Sequence, residues 1–404
     1  MTSLEAALEA LLGKDSMAPA ANKGDGPSPI PRVRPKSAEA LAEVLAFANS
    51  RRLAVLVRGG GTKSGWGRAP TRCDLVVETT ALNRLVEHEP GDLTCVAEAG
   101  LTLGELQRLV GSAPGHNQRL MLDPPQGGGA TLGGLVATSA SGPLRARYGT
   151  PRDLLLGARF ALADGTLART GGKVVKNVAG YDLGKLLTGS QGTLAVIVEV
   201  ALRLHPVPKA TRWVVAERLD PQAAQAALAA LRRAPVVLSM AELLWPEGTL
   251  LTRLDGAVSA CGQQAEIVRA LLPDGRVAGE SEAEELARMI EMRPWGGEGP
   301  VLGISVPLTR IGELVALAGV GGPVAQLSLR GTVGAGEARL REGADPTQFT
   351  ARVDALGGFV AWHRSAAQNA PPLQPKDPVA ARLALGVKRA LDPNLTLAPG
   401  RGPE

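Results

Sequence analysis

Aromatic residues are scarce: 3% of 404, in the form of five Trp, two Tyr and four Phe, so small and aliphatic side chains must fill most of the core. Cysteine is scarcer still. Cys73, Cys95 and Cys261 form no CxxC pair and have no metal-ligand spacing. That argues against a disulfide scaffold, a zinc motif or a resident iron–sulfur cluster, and the three thiols are expected as small buried apolar groups in a reducing compartment. His88, His116, His205 and His363 are dispersed, and nothing resembles H-E-x-x-H or H-x-H, so no metal ligand is nominated. No apolar run approaches the ~18 residues that span a bilayer. The opening MTSLEAALEALLG carries two acids and no basic region, unlike a signal peptide, and a cytoplasmic location is expected. The net charge of +5 comes from scattered residues rather than runs, which argues against nucleic acid as a partner.

Glycine and proline, in contrast, are abundant, at 50 and 30 residues. Together they exceed the ~12% of average usage without reaching the level of a disordered chain, and the length allows ~2 to 3 domains. Leu4 to Leu12 has a helical stripe, to be read either as an adaptor for a partner or as a frayed end, and KDSMAPAANKGDGPSP reads as a mobile linker. Ser37 is placed to cap a helix running to about Asn49, and a strand over 53–57 then runs into Arg58-Gly59-Gly60-Gly61-Thr62-Lys63-Ser64-Gly65. Strands are predicted at 74–78 and 94–98, a helix at 103–110, and a strand at 155–163 entering an Asp164-Gly165 hairpin turn. The segment 176–188 turns helical towards its end, and a β-rich run over 193–204 closes at Pro206 and Pro208, the best domain boundary. Beyond it, two β-α-β-β-α-β units follow in tandem over 213–279 and 301–364, separated by a helix at 281–292. They predict an α+β domain with an antiparallel sheet made of two ferredoxin-like halves. A Pro-rich loop over 366–378 leads to a last helix, Val379 to Leu391.

A strand that ends in three glycines can present backbone N–H groups to phosphate oxygens, and Lys63 adds a positive charge. A plain turn between strands is the competing reading. Thr62 stands where a Walker A loop needs glycine before Lys-Ser, and Ser64 stands where a G-x-G-x-x-G starting at Gly59 needs its last glycine. An ATPase or a classical NAD dehydrogenase is therefore disfavoured. A second cluster, Gly127 to Gly142, has small or hydroxyl side chains at nearly every position, so a flat ligand could approach closely and Thr131, Thr138 and Ser141 could bond its edge. With Gly189-Ser190-Gln191-Gly192 these clusters suggest one extended ligand carrying a diphosphate.

The runs Val57 to Thr62, Thr131-Leu132-Gly133-Gly134 with Ala137 to Gly142, Arg147-Tyr148-Gly149 and Gly189 to Leu194 resemble the vanillyl-alcohol oxidase, or PCMH-type, FAD-binding family over about residues 28–208. Gly171-Gly172-Lys173-Val174-Val175-Lys176-Asn177-Val178-Ala179-Gly180-Tyr181-Asp182-Leu183, together with Asp392-Pro393-Asn394 and Pro399-Gly400-Arg401, narrows the resemblance to the shorter flavin-binding subunits of bacterial glycolate oxidases. The resemblance implies a helix and linker over 1–27, a PCMH-type FAD domain of two α+β subdomains over 28–208, an α+β cap over 209–378, and a C-terminal helix and tail over 379–404 that returns to the FAD domain. It also implies that Gly59, Gly60, Gly61, Thr62 and Lys63 hold the FAD pyrophosphate. Thr131, Gly133, Gly134, Ala137, Thr138, Ser141 and Gly142 would line the rest of the cofactor, with Gly192 and Ile197 beside it, Ile197 near the adenine. The covalent-attachment histidine of some members is replaced by Thr62 and Lys63, so FAD is expected to be noncovalent. Implied partners are a larger FAD-binding catalytic subunit and an iron–sulfur subunit, with a small 2-hydroxy acid as substrate and membrane contact only through partners. The histidine-rich cap motif of self-sufficient relatives is missing, which puts an independent hydroxyacid site in doubt.

Lys176, Tyr181 and Asp182 bring an amine, a phenol and a carboxylate within seven residues and could orient a carboxylate substrate or a flavin edge. Alternatively Asp182 caps the next helix and Tyr181 packs under the ring. His363 is a candidate base or a core histidine. Arg145, Arg147 and Arg152 form either a partner surface or a structural group.

Overall fold

A computed structural model describes residues 3–19, 30–112, 117–172, 182–293, 295–319, 321–364, 370–371 and 375–403. The helix Ala38–Ser50 starts where the Ser37 hydroxyl accepts the Ala40 amide at 3.1 Å, and it buries Leu41, Val44, Leu45 and Ala48 along one stripe. That stripe packs on a four-stranded sheet in the order Met17–Ala18, Arg32–Val33, Leu75–Glu78, Val55–Arg58. The last three strands are parallel, so Val55–Arg58 delivers the glycine loop to the carboxyl end of the sheet. The N-terminal helix Ser3–Leu12 is neither frayed nor free for a partner, because Leu4, Leu8 and Leu12 bury against the same core. Part of the expected linker is described: Met17–Ala18 pairs with Arg32–Val33, and residues 20–29 lie outside the described residues.

The second layer is a five-stranded antiparallel sheet in the order Leu85–Glu89, Thr94–Glu98, Val196–Arg203, Leu155–Ala161, Leu167–Gly171. Asp164-Gly165 turns the expected hairpin. The glycine-rich stretch Gly127 to Gly142 contains a helix that was not predicted, Leu132–Thr138, whose Leu132, Leu135 and Val136 are buried. Gly133 and Gly134 hide that apolar spacing in the sequence, since glycine is a poor helix former. Of the segment 176–188, the described helix is Leu183–Leu187. Cys95 and Cys261 are buried as expected, whereas Cys73 is half-buried.

The cap is one eight-stranded antiparallel sheet. Its first half is Ala210–Ala216, Met240–Trp245, Thr249–Gly256 and Arg276–Val277; its second half is Val301–Ser305, Val324–Arg330, Ala335–Leu340 and Phe359–Arg364. In each half the spatial order is fourth, first, third, second, the ferredoxin-like order, and the two second strands meet at the centre. One face carries the helices and the main apolar core. Alternation turns Glu242, Ser328, Arg330 and Glu337 to the other face, which meets the first domain. There the Arg330 guanidinium pairs with Glu337 and lies 3.9 Å from Glu242, whose carboxyl accepts the Ser328 hydroxyl at 2.5 Å. Arg147 crosses from the first domain to donate to the Ser239 hydroxyl at 3.0 Å and the Asp255 carbonyl at 2.6 Å, a structural latch rather than a partner surface.

One guanidinium cannot neutralise the buried carboxyls of Glu242 and Glu337 together with the half-buried Asp123 nearby. Burial accordingly raises Glu242 to about 7 and Asp123 to about 6. A carboxyl raised on folding contributes stability that is full below its ordinary value of 4.5 and is lost as pH rises through about 7. Glu242→Gln should therefore match the wild type in urea unfolding at pH 5 and become the more stable of the two above pH 7. Arg330→Met, which strands the acids, should cost about 3–5 kcal/mol at pH 8.

Candidate functional site

Between the two layers of the first domain runs a cleft lined by Gly59, Gly60, Gly61, Thr62, Lys63, Thr131, Gly133, Gly134, Ala137, Thr138, Gly192 and Ile197. Three sequence-distant segments thus converge on one groove. Ser141 and Gly142 are not among its lining residues. A Cβ on Gly142 would lie 1.9 Å from the Asp123 carbonyl oxygen, so that glycine serves packing behind the groove.

The glycines of the first loop are required for the approach of backbone to backbone. A Cβ on Gly60 would stand 2.1 Å from the Gly129 carbonyl oxygen, and one on Gly59 would stand 2.0 Å from the Thr131 hydroxyl. Gly61 has φ of +75°, which favours glycine. Packed this way, the loop leaves the backbone N–H groups of Gly59, Gly60, Gly61, Thr62 and Lys63 without a protein acceptor among the described residues. Five successive free amides at a strand end make an anion-binding concavity. The Lys63 ammonium, held by the Pro125 carbonyl at 2.6 Å and the Thr62 hydroxyl at 3.1 Å, supplies the counter-charge. Burial pulls its pKa down to about 8.

The hydroxyls opposite are committed to backbone. Thr131 caps Leu132–Thr138 through the Gly134 amide, and Thr138 donates to the Gly134 carbonyl at 2.7 Å. Each keeps lone pairs for a ligand, but their first duty is the helix. Asp182 accepts the Lys185 amide at 3.3 Å and so caps its helix, while Lys176 and Tyr181 lie outside the described residues.

Three of the few rings gather where the cap meets the cleft. Trp66, which lines the groove, stacks on His363 at 4.1 Å between centroids and on Trp295 at 5.2 Å. Trp295 sits on a loop that Arg364 holds through the carbonyls of Trp295, Gly297 and Gly299. Burial, with Arg330 adding to it, lowers the His363 pKa to about 3. The half-buried ring is held in its neutral form and stacks on both indoles. Trp66, Gln191 and Arg401 line the groove without having been singled out as site residues; the one signal for Arg401 was its Pro-Gly-Arg setting at the chain end.

Residues 29–171 match the family model described as FAD binding domain. The chain is 39% identical over 176 residues to a D-lactate dehydrogenase of Archaeoglobus fulgidus, covering 43% of this chain and 38% of that protein. It is 33% identical over 243 residues to the glycolate oxidase subunit GlcE of Escherichia coli, covering 60% and 66%. The glycolate oxidase subunit GlcD of Bacillus subtilis is 29% identical over 246 residues, covering 60% and 51%. The chain thus spans between 38% and 66% of the length of these relatives. In fold it is similar to p-cresol methylhydroxylase with substrate bound, at a TM-score of 0.73 and 18% identity over 99% of this chain and 97% of that one. It is similar also to 4-ethylphenol oxidase from Gulosibacter chungangensis, at 0.72 and 15% over 100% and 98%. The architecture is the PCMH-type FAD-binding fold, and its cofactor is FAD. The groove fits that cofactor: the amides of Gly59 to Lys63 suit a diphosphate, and the small residues opposite leave room for flat rings.

An anion beside Lys63 favours its charged form, so FAD binding should take up a proton and weaken as pH rises past about 8. Lys63→Arg should bind FAD with the same affinity at pH 7 and pH 9, as read by titration of the apoprotein. Gly60→Ala should raise the FAD Kd at least tenfold, because the clash falls on a backbone oxygen.

Proposed function

We propose that this chain is the shorter FAD-binding subunit of a multi-subunit 2-hydroxyacid dehydrogenase or oxidase of the glycolate oxidase kind. The similarity to the glycolate oxidase subunit GlcE carries this reading, because it extends over 60% of the chain, well beyond the 143 residues of the matched FAD domain. When bound, FAD supplies the acceptor for the hydride that leaves the hydroxyl-bearing carbon of a 2-hydroxy acid. The chain's own residues hold the cofactor noncovalently, with the free amides and Lys63 on its diphosphate. The Trp66, His363 and Trp295 rings close the cap side against water. Electrons then leave through a larger FAD-binding catalytic subunit and an iron–sulfur subunit. The assembly works in the cytoplasm, at the inner face of the membrane where its partners sit.

The cap argues against an independent hydroxyacid site. Arg330, the buried guanidinium that a substrate carboxylate would need, is already engaged by Glu337 and Glu242, and neutral His363 offers no ready base. A tagged chain expressed with its native neighbours should copurify with a larger flavoprotein and an iron–sulfur protein. The complex should reduce a dye with glycolate or D-lactate at least a hundredfold faster than the isolated FAD-loaded chain. Full-rate turnover by the isolated chain would contradict the subunit reading.

A further inference from the structure

Arg401 reaches the groove from the far end of the chain. Its Nε donates to the Arg68 carbonyl at 2.9 Å, which fixes the plane of the guanidinium, while Nη1 and Nη2 have no hydrogen-bond partner among the described residues. The residue is 9% exposed. The fork, unspent on protein groups, lines the groove, where it can meet an anion bidentately.

The tail that brings Arg401 there is tied by a buried ion pair. Lys388, 1% exposed, gives its three protons to Asp392 Oδ2 at 2.6 Å, the Thr193 carbonyl at 2.8 Å and the Leu397 carbonyl at 3.0 Å. Asp392, fully buried, accepts the amides of Thr396 and Leu397, both at 2.8 Å. Thus folded, the tail runs beside the strand that ends in the glycine loop: the Val55 amide donates to Thr396 at 2.7 Å, and the Ala398 amide donates to Val55 at 2.9 Å. Lys388 is the only fully buried side chain of the helix Pro378–Leu391, a position that would otherwise take leucine. The charge there organises the tail.

We propose that Arg401 is an anion contact of bound FAD and that the buried Lys388–Asp392 pair is the positioning element that holds it at the groove. The inference rests on FAD as the cofactor. Two parts of FAD offer the required anionic oxygens: the diphosphate, and the pyrimidine edge of the ring, which gains negative charge on reduction.

The apoproteins of wild type, Arg401→Met, Arg401→Lys, Lys388→Met and Lys388→Met/Arg401→Met are titrated with FAD and with ADP, and the midpoint potential of bound flavin is measured. Arg401→Met should raise the FAD Kd at least tenfold, with partial recovery in Arg401→Lys. If ADP affinity falls by the same factor, the contact is to the diphosphate. If ADP is unaffected and the midpoint potential falls, the contact is to the ring. Lys388→Met should bind FAD no better than Arg401→Met, and the double variant no worse than Lys388→Met, because a displaced Arg401 has nothing left to lose. Should Lys388→Met not fold, Asp392→Asn takes its place in the cycle. Wild-type Kd and potential in Arg401→Met overturn the contact, and fully additive losses overturn the positioning role. A wild-type chain that binds no FAD refutes the cofactor reading instead.

Discussion

The approach of one bare backbone to another governs this site. With no Cβ on Gly60 the Gly129 carbonyl can lie against it, and with none on Gly59 the Thr131 hydroxyl can. Thr131 also caps the helix Leu132–Thr138, and its neighbour Ala130 accepts the Leu103 amide at 2.8 Å. The first loop is thereby fixed to the second layer through contacts that consume no amide of its own. Those amides stay available for an anion, preorganised at no further cost in conformational freedom.

The cap solves a different problem with the few rings and many charges it has. Its outer face is an ordinary aliphatic core under helices. The face towards the first domain instead holds Arg330 among acids and His363 among indoles. Acids already surround the Arg330 charge, which leaves it little attraction for a substrate anion, even though Arg330 Nε, Glu242 Oε2 and His363 Nδ1 are buried without a hydrogen-bond partner among the described residues. A relative that turned over a hydroxy acid alone would need a cation at such a face with capacity to spare.

Much of the fold was legible because local signals were strong. Ser37 capped its helix, Asp164-Gly165 turned its hairpin, and the tandem strand and helix order anticipated the two ferredoxin-like halves. Glycine was the ambiguous signal. Gly133 and Gly134 concealed a helix, and at Gly142 the missing side chain accommodates Asp123. The N-terminal stripe of Leu4, Leu8 and Leu12 gave no hint of which surface would cover it. The return of the tail to the first domain was legible only through resemblance, while the Trp66, His363 and Trp295 cluster and the Arg401 contact to Arg68 were not: each joins residues hundreds of positions apart, and no periodicity within one segment encodes such a meeting.

The groove is expected to hold one FAD by noncovalent contacts alone. The most direct test is the flavin content of the purified, FAD-saturated chain after gel filtration and heat denaturation. One equivalent of FAD per chain, all of it in the supernatant, is the expected result. Flavin retained on the denatured polypeptide, or a chain that emerges from the column colourless, would contradict it.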